Sequence, residues 1–463
     1  MRKNKNELRD IPQVEKLLQI DEIDRYIPLI GRSIVIKSIR EEIELFREGL
    51  KENKNLETSD LISSISNKLN RKKSEKLQRV INGTGVLIHT NLGRAPISKR
   101  ILENLQDALS GYCNLELNLP TGKRGNRGGF AEELICDLTN AEDALIVNNN
   151  ASSLFLILSE FGKGKDVIIS RGELVQIGGG FRIPDIMRQT GVNLVEVGTT
   201  NITELDDYRR AITDNTSMIL SVHPSNYKIE GFSRSPSLKD LSTLKNSSIL
   251  FVRDLGSGNL FVDARFPKTF EPTISSELSQ NPDIICFSGD KMLGGCQAGI
   301  IVGRGDLIRK LKNNPLMRMF RVDKITYHIL QESFIQYSNK NLEEISLWNI
   351  IFQNKKIIGN KVNRLLKKIK VEDKKTIFTR VPLKSIFGGG ALPTVKIESM
   401  GLQISIPNVK GEEIYRKLIY DDVPIVGYIL DDKYTLDFRA IFDEDIPIIA
   451  EALGQLIEFY SGC

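Results

Sequence analysis

Histidine, tryptophan and cysteine are scarce in this chain: three, one and five among 463 residues. Three histidines, His89, His223 and His328, exclude a His-rich metal centre. The five cysteines (Cys113, Cys136, Cys286, Cys296 and Cys463) are odd in number and never in C-x-x-C spacing. That pattern argues against both a disulfide framework and a zinc site, so no metal is expected. No run approaches the roughly 18 uninterrupted apolar residues that a membrane span requires. The opening MRKNKNELRD has no apolar segment behind its charges, so a cytoplasmic location is expected.

What the chain does contain is enough apolar residue, 40%, to bury a full core. At this length two or three domains of about 100 to 250 residues are expected. The formal charge is only +5, but residues 1–80 hold 18 Lys and Arg against 14 Asp and Glu, so +4 of it lies there. A weakly basic front end suits an anionic polymer, and equally a solvated helical face. These 80 residues are poor in glycine, and apolar positions recur every three to four residues in VEKLLQI, IREEIELF and LISSISNKLNRKK, which predicts helices.

From residue 81 the texture changes. Short runs rich in Val and Ile (ALIVNN, DVIISRG, NLVEVGTT, SMILSVHPS, ILFVRDLGSG, DIICFSGD and AGIIVG) alternate with helical patterns. This predicts an α/β domain on a mostly parallel, seven-stranded sheet over residues 81–345. Residues 346–463, with VPLKSIFGGGALPTVKIES, LQISIPN, VPIVGYILDD and KYTLDFRAI, read as a smaller α+β domain.

In open α/β sheets the site forms where strands end, so the polar residues closing each run carry the chemistry. IVNNNASS puts Asn149, Asn150, Ala151 and Ser152 at a strand end opening a helix, where free amides and small residues suit a phosphate or serve as ordinary caps. ILFVRDLGSG ends on Asp254, a carboxylate that needs a cationic or hydrogen-donating partner, or else an Asx turn before glycines. IICFSGDK ends on Ser288 and Lys291. A desolvated strand-end lysine can attack a carbonyl to form a Schiff base.

The S-x-x-K spacing also matches a serine hydrolase, but no KTG partner exists, and the absence of G-x-x-x-x-G-K-[ST] excludes a P-loop. Phosphate loop, aspartate and lysine occur in the order of a pyridoxal 5′-phosphate pocket: loop for phosphate, Asp for the ring nitrogen, Lys for the carbonyl carbon. His223, at the end of SMILSVHPS, could contact the ring, as could Phe181. Arginines gather in TNLGRAP (Arg94), TGKRGNRGG (Arg124, Arg127, with Lys123) and NPLMRMFRVDK (Arg318, Arg321). Such clusters suit phosphate-like anions through paired hydrogen bonds, although each alone could be a surface or ion-paired residue.

At these residues the sequence resembles the bacterial selenocysteine synthase family, the L-seryl-tRNA(Sec) selenium transferases. The stretches that carry it include RVINGTGVLIHTNLGRAPIS, AEDALIVNNNASS, ISRGELVQIGGGFRIPDIMRQTG, HPSNYKIEGF, DLGSGNL, FSGDKMLGGCQAGIIVG, NPLMRMFRVDK and FGGGALP, running almost from end to end. The resemblance implies fold type I of the pyridoxal phosphate-dependent transferases, with a tRNA-binding helical domain at 1–80. It implies that Lys291 forms the aldimine and shuttles the proton, that Asp254 holds the ring nitrogen, and that Ser288 with the 149–152 loop holds the phosphate. β-Elimination from seryl-tRNA(Sec) would leave an aminoacrylyl-tRNA, to which selenium from selenophosphate adds. Arg94, Arg318, Arg321 and Asp290 would form the donor site, and the chain would assemble as a homodecamer, a ring of dimers. Cys296, RGNRGGF and the His-Pro before SNYKIEGF depart from the family pattern without touching these positions.

Two rivals remain from sequence. A relative with the same pocket would act on a free amino acid, its α-carboxylate clamped by Arg380 or Arg439 of the small domain. A tRNA-binding protein with a vestigial pocket is the other.

Overall fold

The seven apolar runs all become strands of one sheet. The computed structural model describes residues 11–52, 56–174, 176–177, 181–262, 271–371 and 377–461. Residue 463 and the side chain of Phe181, named above, lie outside the described residues.

Residues before the sheet form their own helical unit. Its two long helices are α1 (Arg32–Lys51) and α2 (Thr58–Ser74). Val35, Ile39 and Ile43 of α1 meet Leu61, Ile65 and Leu69 of α2 in a core that also takes in Leu17, Ile23 and Tyr26. The four-residue spacing on both helices makes one apolar stripe on each, so neither buries its stripe without the other. Lys68 of α2 adds ion pairs to Glu41 (2.8 Å) and Glu42 (3.0 Å). Lys73 and Arg79 tie the unit to the C-terminal part through Asp422 (2.6 Å) and Asp445 (2.5 Å).

The strands that follow are β1 (Ile81–Asn82), β2 (Asp143–Val147), β3 (Asp166–Ser170), β4 (Asn193–Val197), β5 (Thr216–Val222), β6 (Leu250–Gly256), β7 (Ile284–Ser288) and β8 (Gly299–Gly303). Strands β2 to β8 make the central sheet in the order β2-β8-β7-β6-β5-β3-β4. Only β8 runs against its neighbours, pairing antiparallel with both β7 and β2. A largely parallel sheet must be covered on both faces, and alternating side chains divide accordingly. Ile285 and Phe287 of β7, with Ile300 and Val302 of β8, enter one core. Ile284 and Cys286, with Ile301, enter the other.

The C-terminal part adds a four-stranded antiparallel sheet, β9 (Phe378–Ile386), β10 (Lys396–Ile404), β12 (Tyr428–Leu430) and β13 (Lys433–Asp437), in the order β9-β10-β13-β12. The short strand β11 (Ile425–Val426) pairs in parallel with β1. The turn between β9 and β10 reaches back to the large sheet. Leu87 and Ile88 donate backbone hydrogen bonds to Ile386 (3.0 Å) and Phe387 (2.7 Å), drawing the segment before Arg94 and the turn after Ile386 together.

Candidate active site

Four strand ends converge on one cavity of about 270 Å³. From the end of β2 come Asn149, Asn150 and Ala151, from β5 His223, from β6 Asp254, and from β7 Ser288, Asp290 and Lys291. Arg94 enters from the preceding loop. Ser225, Asn226 and Gln297 also line the cavity. Reading strand-end residues by type singled out none of these three, and the polar residues beyond HP and before the final AG were the available signal.

Lys291 is 7% exposed. Burial lowers its ammonium pKa from the ordinary lysine range, with Asp254 and Asp290 opposing and Arg94 assisting. A larger fraction is therefore the free amine at neutral pH than for an exposed lysine. The turn between β9 and β10 lies against it. A Cβ placed on Gly390, whose φ is +88°, would stand 2.9 Å from Lys291 Nζ, so no side chain fits between the turn and the amine. Gly388 and Gly389 are equally pressed, against Val86 and Ile88 in one case and Thr90 in the other.

Asp254 is paired in register with Cys286 of the adjacent strand. Burial pushes the Asp254 carboxyl above its ordinary range, opposed by a hydrogen bond from Asn150 and by the charges of Lys291 and Arg253. Asn150 Nδ2 donates to Asp254 Oδ1 at 2.7 Å, and Asn150 Oδ1 is left buried with no hydrogen-bond partner. A buried carboxylate beside an orphaned amide oxygen makes a pair of acceptors suited to one strong donor. A protonated pyridine nitrogen is such a donor, and this acceptor pair fits pyridoxal phosphate.

At the other wall, helix α3 (Asn150–Phe161) begins on Asn149, whose Oδ1 accepts from Ser152 N at 2.9 Å and Ser152 Oγ at 3.2 Å. Ser152 itself therefore turns toward the cap, while Asn149 to Ala151 present the helix start to the cavity. Close approach is possible because residue 299 is glycine: a Cβ there would lie 2.2 Å from the Asn149 carbonyl oxygen. Helix starts carry unpaired N–H groups and the positive end of the dipole, which suits a phosphate.

Arg94 donates from Nη1 to both oxygens of Asp290, at 3.1 and 3.0 Å. Its φ is +64°, a left-handed conformation that costs a non-glycine residue about 1–3 kcal/mol and is held where surroundings fix it. The other arginines do not line the cavity of the single chain. Arg318 is exposed. Arg321 lies 4.0 Å from Glu116, which also pairs with Arg124 (2.5 Å) and Arg127 (2.6 Å). The backbone around Arg321 nonetheless abuts the phosphate-loop strand, through a bridge to Val147 and an Asn148 N–H donated to Phe320 at 3.0 Å. Arg439 spends its guanidinium on the carbonyls of Ile350 and Gln353 (both 2.9 Å) and of Glu398, and Arg380 is exposed on β9. His89 caps a turn, accepting from Asn91 N at 3.2 Å, and does not line the cavity.

A mostly parallel seven-stranded sheet with a buried lysine and aspartate at adjoining strand ends defines the class: a pyridoxal phosphate-dependent enzyme of the aminotransferase-like fold. The solved structure of D-glucosaminate-6-phosphate ammonia-lyase has the same fold, with a TM-score of 0.57 at 16% identity, over 83% of this chain and 96% of that one. Within that class the chain belongs to the L-seryl-tRNA selenium transferase family, whose model matches residues 80–442, while a selenocysteine synthase N-terminal model matches residues 8–47. It is 40% identical to the L-seryl-tRNA(Sec) selenium transferase of Carboxydothermus hydrogenoformans, over 97% of both chains. Proteins of that name from Clostridium botulinum (strain Okra) and Geotalea daltonii are each 39% identical, over 97% and 98% of this chain and 99% and 100% of theirs.

Proposed function

We propose that this protein converts L-seryl-tRNA(Sec) to L-selenocysteyl-tRNA(Sec), with pyridoxal phosphate as cofactor and selenophosphate as selenium donor. The observation that carries the reading beyond family membership is what the cavity lacks. Among the described residues its one guanidinium is Arg94, already paired with Asp290. Arg439 and Arg380, the small-domain candidates for clamping a free α-carboxylate, are spent elsewhere or exposed. A serine esterified to tRNA has no free carboxylate to clamp, so the lack of a free small-domain arginine at the cavity favours the ester over the free amino acid.

In this reading pyridoxal phosphate, when bound, supplies the electron sink that lets the serine Cα proton and β-hydroxyl leave. Asp254, with Asn150 beside it, holds the ring nitrogen. The start of α3 and Ser288 hold the phosphate, and His223 borders the ring. Lys291 would hold the cofactor's carbonyl carbon, and its Nζ would take the serine Cα proton and return one; burial, which lowers its pKa, favours the free amine this needs. Asp290 orients Arg94 toward the donor anion.

Arg318 and Arg321 would reach such an anion from a neighbouring copy. This is supported by the apolar side chains around Glu116: Tyr112, Leu117, Leu119 and Phe130 are all exposed in the single chain. Exposed clusters of this kind favour burial between subunits, in keeping with an oligomer such as a decamer. No described helix is long and apolar enough to cross a membrane, which agrees with a cytoplasmic enzyme.

The division 1–80, 81–345 and 346–463 assigns tRNA recognition to the first block. Because that block has its own core, removing it should leave the cofactor site intact. A chain lacking residues 1–80 is expected to keep pyridoxal phosphate absorbance and to bind seryl-tRNA(Sec) at least about tenfold more weakly, a loss of 1.4 kcal/mol or more. Unchanged tRNA affinity in a filter-binding titration would refute the assignment.

A further inference from the structure

Behind Asp254 lies a polar network that the reaction described so far does not use. Arg253, the residue before it on β6, is 7% exposed and points to the opposite side. Its Nε donates to Glu277 at 2.7 Å and its Nη1 to Ser221 Oγ at 2.8 Å. Its Nη2 stands 3.3 Å from His223 Nδ1. On the far edge of the imidazole, Nε2 lies 3.0 Å from Glu271 Oε1. Ser221 Oγ donates in turn to Glu173 at 3.1 Å, and Glu173 also accepts from Val222 N at 3.0 Å.

A guanidinium can only donate, so the nitrogen facing it must present its lone pair. We infer that Arg253 is a positioning residue that locks His223 as the neutral imidazole with its proton on Nε2. The inference rests on reading the adjoining cavity as the cofactor site, and it adds how that site keeps its charge in order. Every charged group facing His223 bears on this. Glu271 favours the imidazolium, and so does Asp254, whose backbone oxygen accepts from His223 N at 2.8 Å. Arg253 opposes it directly, and Glu277, 2.7 Å from Arg253, offsets that charge, while burial pushes the Glu173 carboxyl up to about 7. Without the guanidinium at Nδ1, nothing would fix the lone pair on that nitrogen. Neutral His223 leaves the Asp254 carboxylate to the cofactor.

The scarcity of histidine makes the test direct, because only His89, His223 and His328 contribute imidazole signals. In solid-state NMR of the holoenzyme labelled with ¹³C,¹⁵N-histidine, the signal lost in His223→Asn identifies His223. It is expected to show the neutral Nε2–H tautomer at pH 7.5. Arg253→Lys keeps a cation for Glu277 but has no second nitrogen to reach the ring. In that variant nothing fixes the lone pair on Nδ1, so an Nδ1–H signal should appear beside the Nε2–H one, and kcat should fall.

An imidazolium or an Nδ1–H tautomer at pH 7.5 in the parent enzyme would overturn the inference. So would an unchanged Nε2–H signal and a parental kcat in folded Arg253→Lys. The measurement on the parent needs no variant of Arg253 to fold. If the parent shows no visible cofactor absorbance, the reading of the cavity fails; if absorbance is present and His223 is charged, only the role of Arg253 fails.

Discussion

Lys291→Ala is expected to eliminate the visible absorbance of lysine-bound pyridoxal phosphate and to cut selenocysteyl-tRNA formation by at least about 10²- to 10⁴-fold, the usual worth of a positioned acid–base group. Two independent losses combine here. The cofactor loses its covalent anchor, and the Cα proton loses the one buried amine that can accept it. The truncation opens space beneath Gly390 without disturbing the strand, because β7 ends at Ser288. The fold should therefore survive, and circular dichroism of the variant should match the parent. Added methylamine offers a finer check, since a small amine in the vacated space should restore part of the rate. A variant that still turned over at a few tenths of the parental rate would remove Lys291 from the chemistry.

Asp254→Asn is expected to separate the cofactor's attachment from its reactivity. Asparagine keeps the shape and one hydrogen bond with Asn150 but withdraws the negative charge facing Lys291 and Arg253. Breaking a buried charge pair by removing one partner costs about 3–5 kcal/mol. Spent on the transition state, that is a loss of about 10²- to 10⁴-fold in kcat. Visible absorbance should persist, because Lys291 is untouched, and its pH dependence should move down as the lysine loses the carboxylate that favours its charged form. Parental kcat in a stable Asp254→Asn enzyme would contradict the assignment of this carboxylate to the ring nitrogen.

These residues were legible in the sequence for a physical reason. Continuous Val- and Ile-rich runs buried on both faces have few alternatives to parallel strands, and a polar side chain closing such a run falls at the strand end where sites form. Asp254, Ser288 and Lys291 follow from that alone, as does Asn149 as the first residue of a helix cap. What was not legible depends on distant segments meeting. FGGG reads as a flexible turn until Gly390 is found against Lys291, and Arg253 looks like an ordinary strand residue until Ser221, His223 and Glu277 surround it. Ser152 was grouped with the phosphate loop because it lies beside Asn149, whereas the cap hydrogen bond turns its hydroxyl to the Asn149 side chain. Arg318 and Arg321 illustrate the reverse case. Sequence proximity to the site and matching chemistry put them in the donor cluster, but in one chain they stand outside the cavity that holds Arg94.

The central claim is that this cavity acts on serine carried by tRNA. It is tested most directly by giving the purified enzyme, with pyridoxal phosphate and selenophosphate, equal concentrations of seryl-tRNA(Sec) and of free serine in separate reactions and following selenium incorporation. The account predicts selenocysteyl-tRNA(Sec) in the first and no selenocysteine in the second. Turnover of free serine with none of seryl-tRNA(Sec) would contradict it.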